Sequence, residues 1–115
     1  MLEELKNLIN NSYSYGYKMA AITKYNNKIY KGVSIQNSSF RDMISSEQVL
    51  VNNLIINGVP LNEITDIYFL TDGSFNNYRY LRFNFLEEFF SDLTIHLYNI
   101  DGEERVIKLK GVLNV

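Results

Sequence analysis

Cysteine is absent from this 115-residue sequence, and histidine occurs once, at His96. These two gaps exclude a disulfide scaffold, a thiol nucleophile, a cysteine-based zinc site and the common two-histidine metal sites. Proline is nearly missing as well, with Pro60 alone and six glycines as the other breakers. No Pro/Gly/Ser-rich linker, charge block or internal repeat divides the chain, which reads as one domain over residues 1–115. Basic excess is missing too: 11 Lys and Arg stand against 13 Asp and Glu, for a net charge of -2. That balance leaves no surface for collecting backbone phosphates and excludes a dedicated DNA or RNA binder. The longest apolar runs, such as residues 50–56, are interrupted by Asn52 and Asn53, far short of the ~18 residues a membrane span needs. Met1 opens into an acidic amphipathic segment rather than a signal peptide. The expectation is a cytoplasmic protein with neither a membrane nor a nucleic-acid partner.

What is present is core-forming material. Hydrophobic residues make up 46% of the chain, enough to bury a sizeable interior at this length. Leu2, Leu5, Leu8 and Ile9 fall at helical spacing with Glu3 and Glu4 early, where a helix dipole favours acids, and predict a first helix over about 1–11. Residues 17–25 and 28–35 are rich in Ile, Val, Tyr and Thr and flank Asn26-Asn27, a pair that tolerates positive φ, so they predict an antiparallel hairpin. Met43, Leu50, Val51, Leu54 and Ile55 then follow a 3.6-residue period, closed by Gly58 and Pro60, and predict a second helix over 43–57. The almost wholly apolar run 64–71 suits a central strand covered on both faces.

A third helix is predicted over 78–90, with two apolar stripes, Tyr78/Leu81/Phe85/Phe89 and Phe83/Leu86/Phe90. A sheet covers one stripe, so the second is expected to be covered by another subunit, or failing that by the first helix. Residues 93–100 and 105–109, joined by Asp101-Gly102, predict two further strands, with Leu93, Ile95 and Leu97 inward and Thr94, His96 and Tyr98 outward. The order α-β-β-α-β-α-β-β implies an α/β fold of three layers, α/β/α, around a mixed five-stranded sheet.

Tyr17-Lys18-Met19-Ala20-Ala21-Ile22, the stretch Gly32 to Phe40, Ser45-Ser46-Glu47-Gln48 and the stretch Asn77 to Phe83 stand in the order and register of one family's motifs, and over residues 12–111 the chain resembles the small, homotetrameric type of cytidine deaminase. The family's F-K-V-G-A-A-L strand is similar to Tyr17-Lys18-Met19-Ala20-Ala21-Ile22, and its G-C-N-I-E-N-A-S-Y stretch to Gly32-Val33-Ser34-Ile35-Gln36-Asn37-Ser38-Ser39-Phe40. Its C-A-E-R falls on Ser45-Ser46-Glu47-Gln48, and its P-C-x-x-C-R-Q on Asn77-Tyr78-Arg79-Tyr80-Leu81-Arg82-Phe83. The A-D-T strand ending resembles Leu70-Thr71-Asp72, and residues 92–103 resemble the last long strand and its turn.

The resemblance implies a zinc site that this chain lacks the ligands to build. Zinc deaminases hold the metal with one His or Cys and a C-x-x-C pair, so that bound water becomes a hydroxide, while a non-ligand Glu moves protons. The three ligand positions are Ser45, Tyr78 and Leu81; the acid/base position is Glu47. Without metal, water keeps a pKa of about 15.7, a deficit of some eight or nine units that one carboxylate does not make good. The Arg that offsets thiolate charge in all-cysteine members corresponds to Gln48, and Tyr78 and Leu81 would fill the former metal cavity with apolar bulk.

Each candidate site residue also has a structural reading. Glu47 is either the relic acid/base or part of a helix start, since Ser45 and Gln48 have capping-box spacing and Glu47 falls in the first turn. The resemblance puts Ser34 and Gln36 where the family contacts ribose hydroxyls, and Tyr17 where an aromatic stacks near the base; Tyr17 is equally an ordinary strand aromatic. Arg79 and Arg82 could contact a nucleotide phosphate or form surface ion pairs. His96 reads as an exposed or interface residue rather than a catalyst. The favoured function is a catalytically inactive, zinc-free homologue, a pseudoenzyme without cofactor that keeps the fold and a homo-oligomeric assembly, as dimer or tetramer. The alternatives are a pyrimidine-nucleoside-binding protein, a partner subunit of an active cytidine deaminase, or a working nucleoside deaminase or hydrolase with metal-independent chemistry.

Overall fold

A computed structural model describes residues 1–39 and 43–110. Their elements run α1 (Leu2–Ile9), β1 (Met19–Tyr25), β2 (Lys28–Val33), β3 (Ile35–Gln36), β4 (Met43–Ile44), α2 (Ser46–Ile56), a 3₁₀ turn (Leu61–Glu63), β5 (Asp66–Thr71), a 3₁₀ segment (Phe75–Tyr80), α3 (Phe83–Phe89), β6 (Asp92–Tyr98) and β7 (Glu104–Lys110). The main sheet has the order β2-β1-β5-β6-β7. It is mixed: β5 and β6 are parallel, and every other neighbouring pair is antiparallel. The expected five-stranded α/β architecture is therefore present, with β5 in the centre.

Local chemistry explains these elements. Asn26 and Asn27 both adopt positive φ, 50° and 64°, the conformation a two-residue hairpin turn demands. Ser45 caps α2: its hydroxyl accepts from the Gln48 backbone N–H, and the Gln48 side chain accepts from the Ser45 N–H. Gly58, at φ 68°, ends that helix in the left-handed conformation.

The two faces of the sheet bury separate clusters. On one side Leu50, Val51 and Leu54 from α2, together with Leu86 and Phe90, pack on Met19, Ala21, Ile67, Phe69, Leu93, Ile95 and Leu97. On the other, Leu5 and Ile9 of α1 pack on Ala20, Ile22 and Leu70. Gly32 lets α2 approach β2, because a Cβ there would lie 2.4 Å from the Ser46 carbonyl oxygen and 2.6 Å from the Leu50 nitrogen. Among the described residues, no helix is long and apolar enough to cross a membrane.

Three expectations are corrected. The second helix starts at Ser46, not near 43, because Met43 and Ile44 pair with Ile35 and Gln36 as a separate two-stranded ribbon; Phe40 and Gly111, at the ends of the matched segments, lie outside the described residues. The third helix is not continuous over 78–90: Leu81 and Arg82 leave helical geometry between the 3₁₀ segment and α3. That break changes the phase of the two stripes. Tyr78, Leu81, Leu86 and Phe90 all reach the same core, while Phe83, Phe85 and Phe89 are half-buried against it. The Phe83/Leu86/Phe90 stripe thus needs neither a second subunit nor α1 to cover it, and the argument for assembly from that stripe falls.

Two substitutions check this packing. Leu86→Ala should lower the unfolding free energy by about 2–5 kcal/mol, the cost of a core cavity, without changing the molecular mass in solution. Gly32→Ala should cost about 3 kcal/mol, since the obstacle is helix backbone rather than a movable side chain. Urea denaturation measures both; a neutral Gly32→Ala would mean α2 can shift away from the sheet.

Candidate functional site

A cleft of about 660 Å³ opens beside the carboxyl end of β5, lined by Gly16, Tyr17, Gln36, Met43, Asp72, Asn77, Arg79 and Tyr80. Loops at the carboxyl ends of strands are where open α/β sheets hold ligands. The segment before β1 brings Gly16 and Tyr17, the β3–β4 ribbon brings Gln36 and Met43, and the chain after β5 brings the rest. Asp72 is fixed because its Oδ1 accepts from the Lys18 backbone N–H at 2.9 Å, and Asn77 because its amide donates to Thr71 Oγ1 at 2.8 Å.

Aromatic and amide groups give this cleft its character. Tyr17 and Tyr80 stack with centroids 5.0 Å apart and planes 8° from parallel. Burial, then the neighbouring Glu47 and Tyr80, push the Tyr17 phenol up to about 12, against a smaller opposing effect of Arg82. Gln36 is only 6% exposed. Its Oε1 accepts from the Gly16 N–H at 3.1 Å, but among the described residues its Nε2 donates only to Met43 Sδ, at 3.9 Å, and a thioether is a weak acceptor. A buried amide so poorly matched is poised to take a better acceptor from a ligand.

The residues singled out from sequence separate into two groups. Tyr17 and Gln36 line the cleft. Ser34 does not: it is 1% exposed, its hydroxyl accepts from the Met19 N–H at 2.9 Å, and Ser12 donates to its carbonyl at 2.6 Å. Glu47 also stays out of the lining. It is 1% exposed, and its Oε2 accepts from the backbone N–H of Arg82 at 2.8 Å, tying the first turn of α2 to the start of α3. Arg79 reaches the cleft and Arg82 does not. Asp72, Asn77, Met43 and Tyr80 were not singled out; the position of Asp72 directly after a central strand was the one signal for it.

The positions matching zinc ligands in the resemblance do not fit a metal. Ser45 is 3% exposed and its hydroxyl is engaged with Gln48 in the helix cap. The Tyr78 hydroxyl donates to the Tyr98 carbonyl, and burial pushes that phenol up. Leu81 is 5% exposed and has no donor atom. Among the described residues no three His, Cys, Asp or Glu side chains form a metal-holding group. His96 lies away from the cleft, with Nε2 2.8 Å from Asp66 Oδ1, Nδ1 3.1 Å from Glu104 Oε2 and its ring stacked on Tyr68 at 4.2 Å. Burial raises the Asp66 pKa, but hydrogen bonds from His96 and Thr65 outweigh it and hold the carboxyl below its usual value.

The raised Tyr17 phenol carries a signed pH dependence. The unfolded chain ionises this group near 10.0 and the folded chain only near 12, so the unfolded state loses the proton first and stability falls as pH rises through that window. Below 10 the contribution is fully present. Tyr17→Phe should therefore flatten part of the stability loss between pH 10 and 12, read from urea unfolding across that range; an unchanged slope would contradict a raised, half-buried Tyr17 phenol.

No protein-family model matches the chain, and no curated protein matches it. Solved structures do. Cytidine deaminase from Burkholderia pseudomallei superposes with a TM-score of 0.73 at 20% identity, covering 91% of this chain and 87% of that one. Cytidine deaminase from Mycobacterium leprae gives 0.64 at 17% identity over 90% and 87%, and that from Mycobacterium tuberculosis 0.60 at 15% over 81% and 78%. The likeness runs along nearly the whole of each chain rather than through one supersecondary unit. The chain has the cytidine deaminase fold.

Proposed function

We propose that this protein is a zinc-free, catalytically inactive homologue of cytidine deaminase whose cleft binds a small molecule without turning it over. The observation that carries this reading is the occupation of the old catalytic positions by structural bonds. Glu47, the one acid/base residue the resemblance retains, is sealed from solvent and accepts the Arg82 N–H. Ser45, Tyr78 and Leu81 cap a helix, bond a strand carbonyl and fill the core. A deaminase needs an activated water within reach of its acid/base group. Here the group is buried, the Ser45 and Tyr78 hydroxyls are spent in structural bonds, and Leu81 has no donor atom.

The cleft supports the second part of the reading, the binding of a nucleoside. It falls within the ~300–1,000 Å³ of ordinary ligand pockets. Its aromatic wall suits a planar base, and Gln36, Asn77 and Asp72 suit hydroxyl and amide partners. Self-association belongs to the same reading on new grounds. Tyr13, Tyr15, Ile35 and Ile44 are exposed and joined through the Tyr13–Tyr15 ring contact, the Tyr13–Ile35 bridge and the Ile35–Ile44 pair, an apolar surface that a second copy would cover.

The test is direct. Protein purified without chelator should carry well under one zinc per chain and release no ammonia from cytidine or deoxycytidine above background. Stoichiometric zinc together with turnover would overturn the proposal.

A further inference from the structure

Arg79 is an unusual neighbour for a ligand without charge. It lines the cleft, its guanidinium lies 4.6 Å above the Tyr80 ring, and its Nη2 donates to the Tyr80 hydroxyl at 2.7 Å. Stacking of this kind holds the planar group in place and leaves most of its five donors unspent. Among the described residues no carboxylate forms an ion pair with it; the ion pairs present are those of the N-terminus with Glu4 and of His96 with Asp66 and Glu104. Asp72 lines the same cleft, yet its carboxylate accepts from the Lys18 N–H and forms no ion pair with Arg79. The cleft therefore holds one positioned cation and one positioned carboxylate that do not neutralise each other, with a stacked aromatic pair and a poorly matched buried amide alongside.

We propose that the cleft takes a nucleoside monophosphate, with the phosphate on Arg79, the sugar hydroxyls donating to Asp72, and the base against the Tyr17–Tyr80 pair within reach of the Gln36 amide. The assignment rests on the nucleoside reading of the cleft and adds the anionic group. A fixed guanidinium fork matches phosphate oxygens in pairs, whereas hydroxyl donors match a carboxylate, so the two charges select opposite ends of one ligand. The overall net charge of -2 makes an anion an improbable visitor unless a local cation receives it.

Calorimetric titration of the full chain with cytidine 5′-monophosphate, cytidine and inorganic phosphate tests this. The nucleotide should bind about tenfold or more tighter than cytidine, as charge-assisted hydrogen bonds provide, and tighter than phosphate alone. Arg79→Ala should bring the nucleotide-to-nucleoside affinity ratio to about one, and Arg79→Lys should retain part of it. Arg79 is exposed, so a thermal melt matching that of the wild type separates loss of the contact from loss of fold. Equal affinities for nucleotide and nucleoside, or a ratio untouched by Arg79→Ala, would overturn the phosphate assignment and leave the nucleoside reading standing. Phosphate binding as tightly as the nucleotide would overturn the base and sugar assignments. Failure of both nucleotide and nucleoside to bind would overturn the nucleoside reading itself.

Discussion

The bond from the Arg82 backbone to the buried Glu47 carboxyl group is the constraint around which this end of the molecule is arranged. A carboxyl group that is 1% exposed is costly unless donors reach it, and the start of α2 provides a favourable dipole while Arg82 provides the N–H. Satisfying it holds the first turn of α2 against the break between the 3₁₀ segment and α3. That break in turn rotates Leu86 and Phe90 into the core beside Tyr78 and Leu81. The Glu47 carboxyl group thus acts as a clasp between two helix starts.

Much of the fold was legible because its signals are local. Asn26-Asn27 demands positive φ, Gly58 and Pro60 stop a helix, and the alternation of Leu93, Ile95 and Leu97 with polar partners matches a strand packed on one face. Ser45 and Gln48 announced the α2 cap at the right residue, although the periodicity of Met43 carried the predicted helix three residues too far. Met43 is apolar for a different reason: it pairs with Gln36 in the ribbon and borders the cleft. The third helix misled for a related cause. Periodicity assumes an unbroken 3.6-residue repeat, and a 3₁₀ segment followed by two non-helical residues shifts the phase by an amount no stripe count reveals.

The site was legible only in part, and the division follows which contacts are local. Tyr17, just before β1, and Gln36, in β3, reach the cleft at positions that the family resemblance had marked. Ser34, two residues from Gln36, is instead taken up inside the fold, its hydroxyl accepting from the Met19 N–H and meeting the Ser12 hydroxyl. Asp72, Asn77 and Arg79 come from the turn-rich stretch after β5, where position depends on tertiary contacts such as the Lys18 N–H to Asp72 bond across 54 residues of sequence. The fold shared with cytidine deaminases thus carries a cleft beside β5, while Ser45, Tyr78 and Leu81 are taken up by a helix cap, a strand carbonyl and the core.

Hydrogen exchange at the Arg82 amide, followed by nuclear magnetic resonance, tests the central claim most directly. If Glu47 is a structural clasp, this amide exchanges as slowly as the amides of the central strands, and Glu47→Ala speeds its exchange while lowering global stability by about 1–3 kcal/mol. Fast exchange of the Arg82 amide in the wild type would contradict the account, because it would leave the Glu47 carboxyl group unbound and free to act in the cleft.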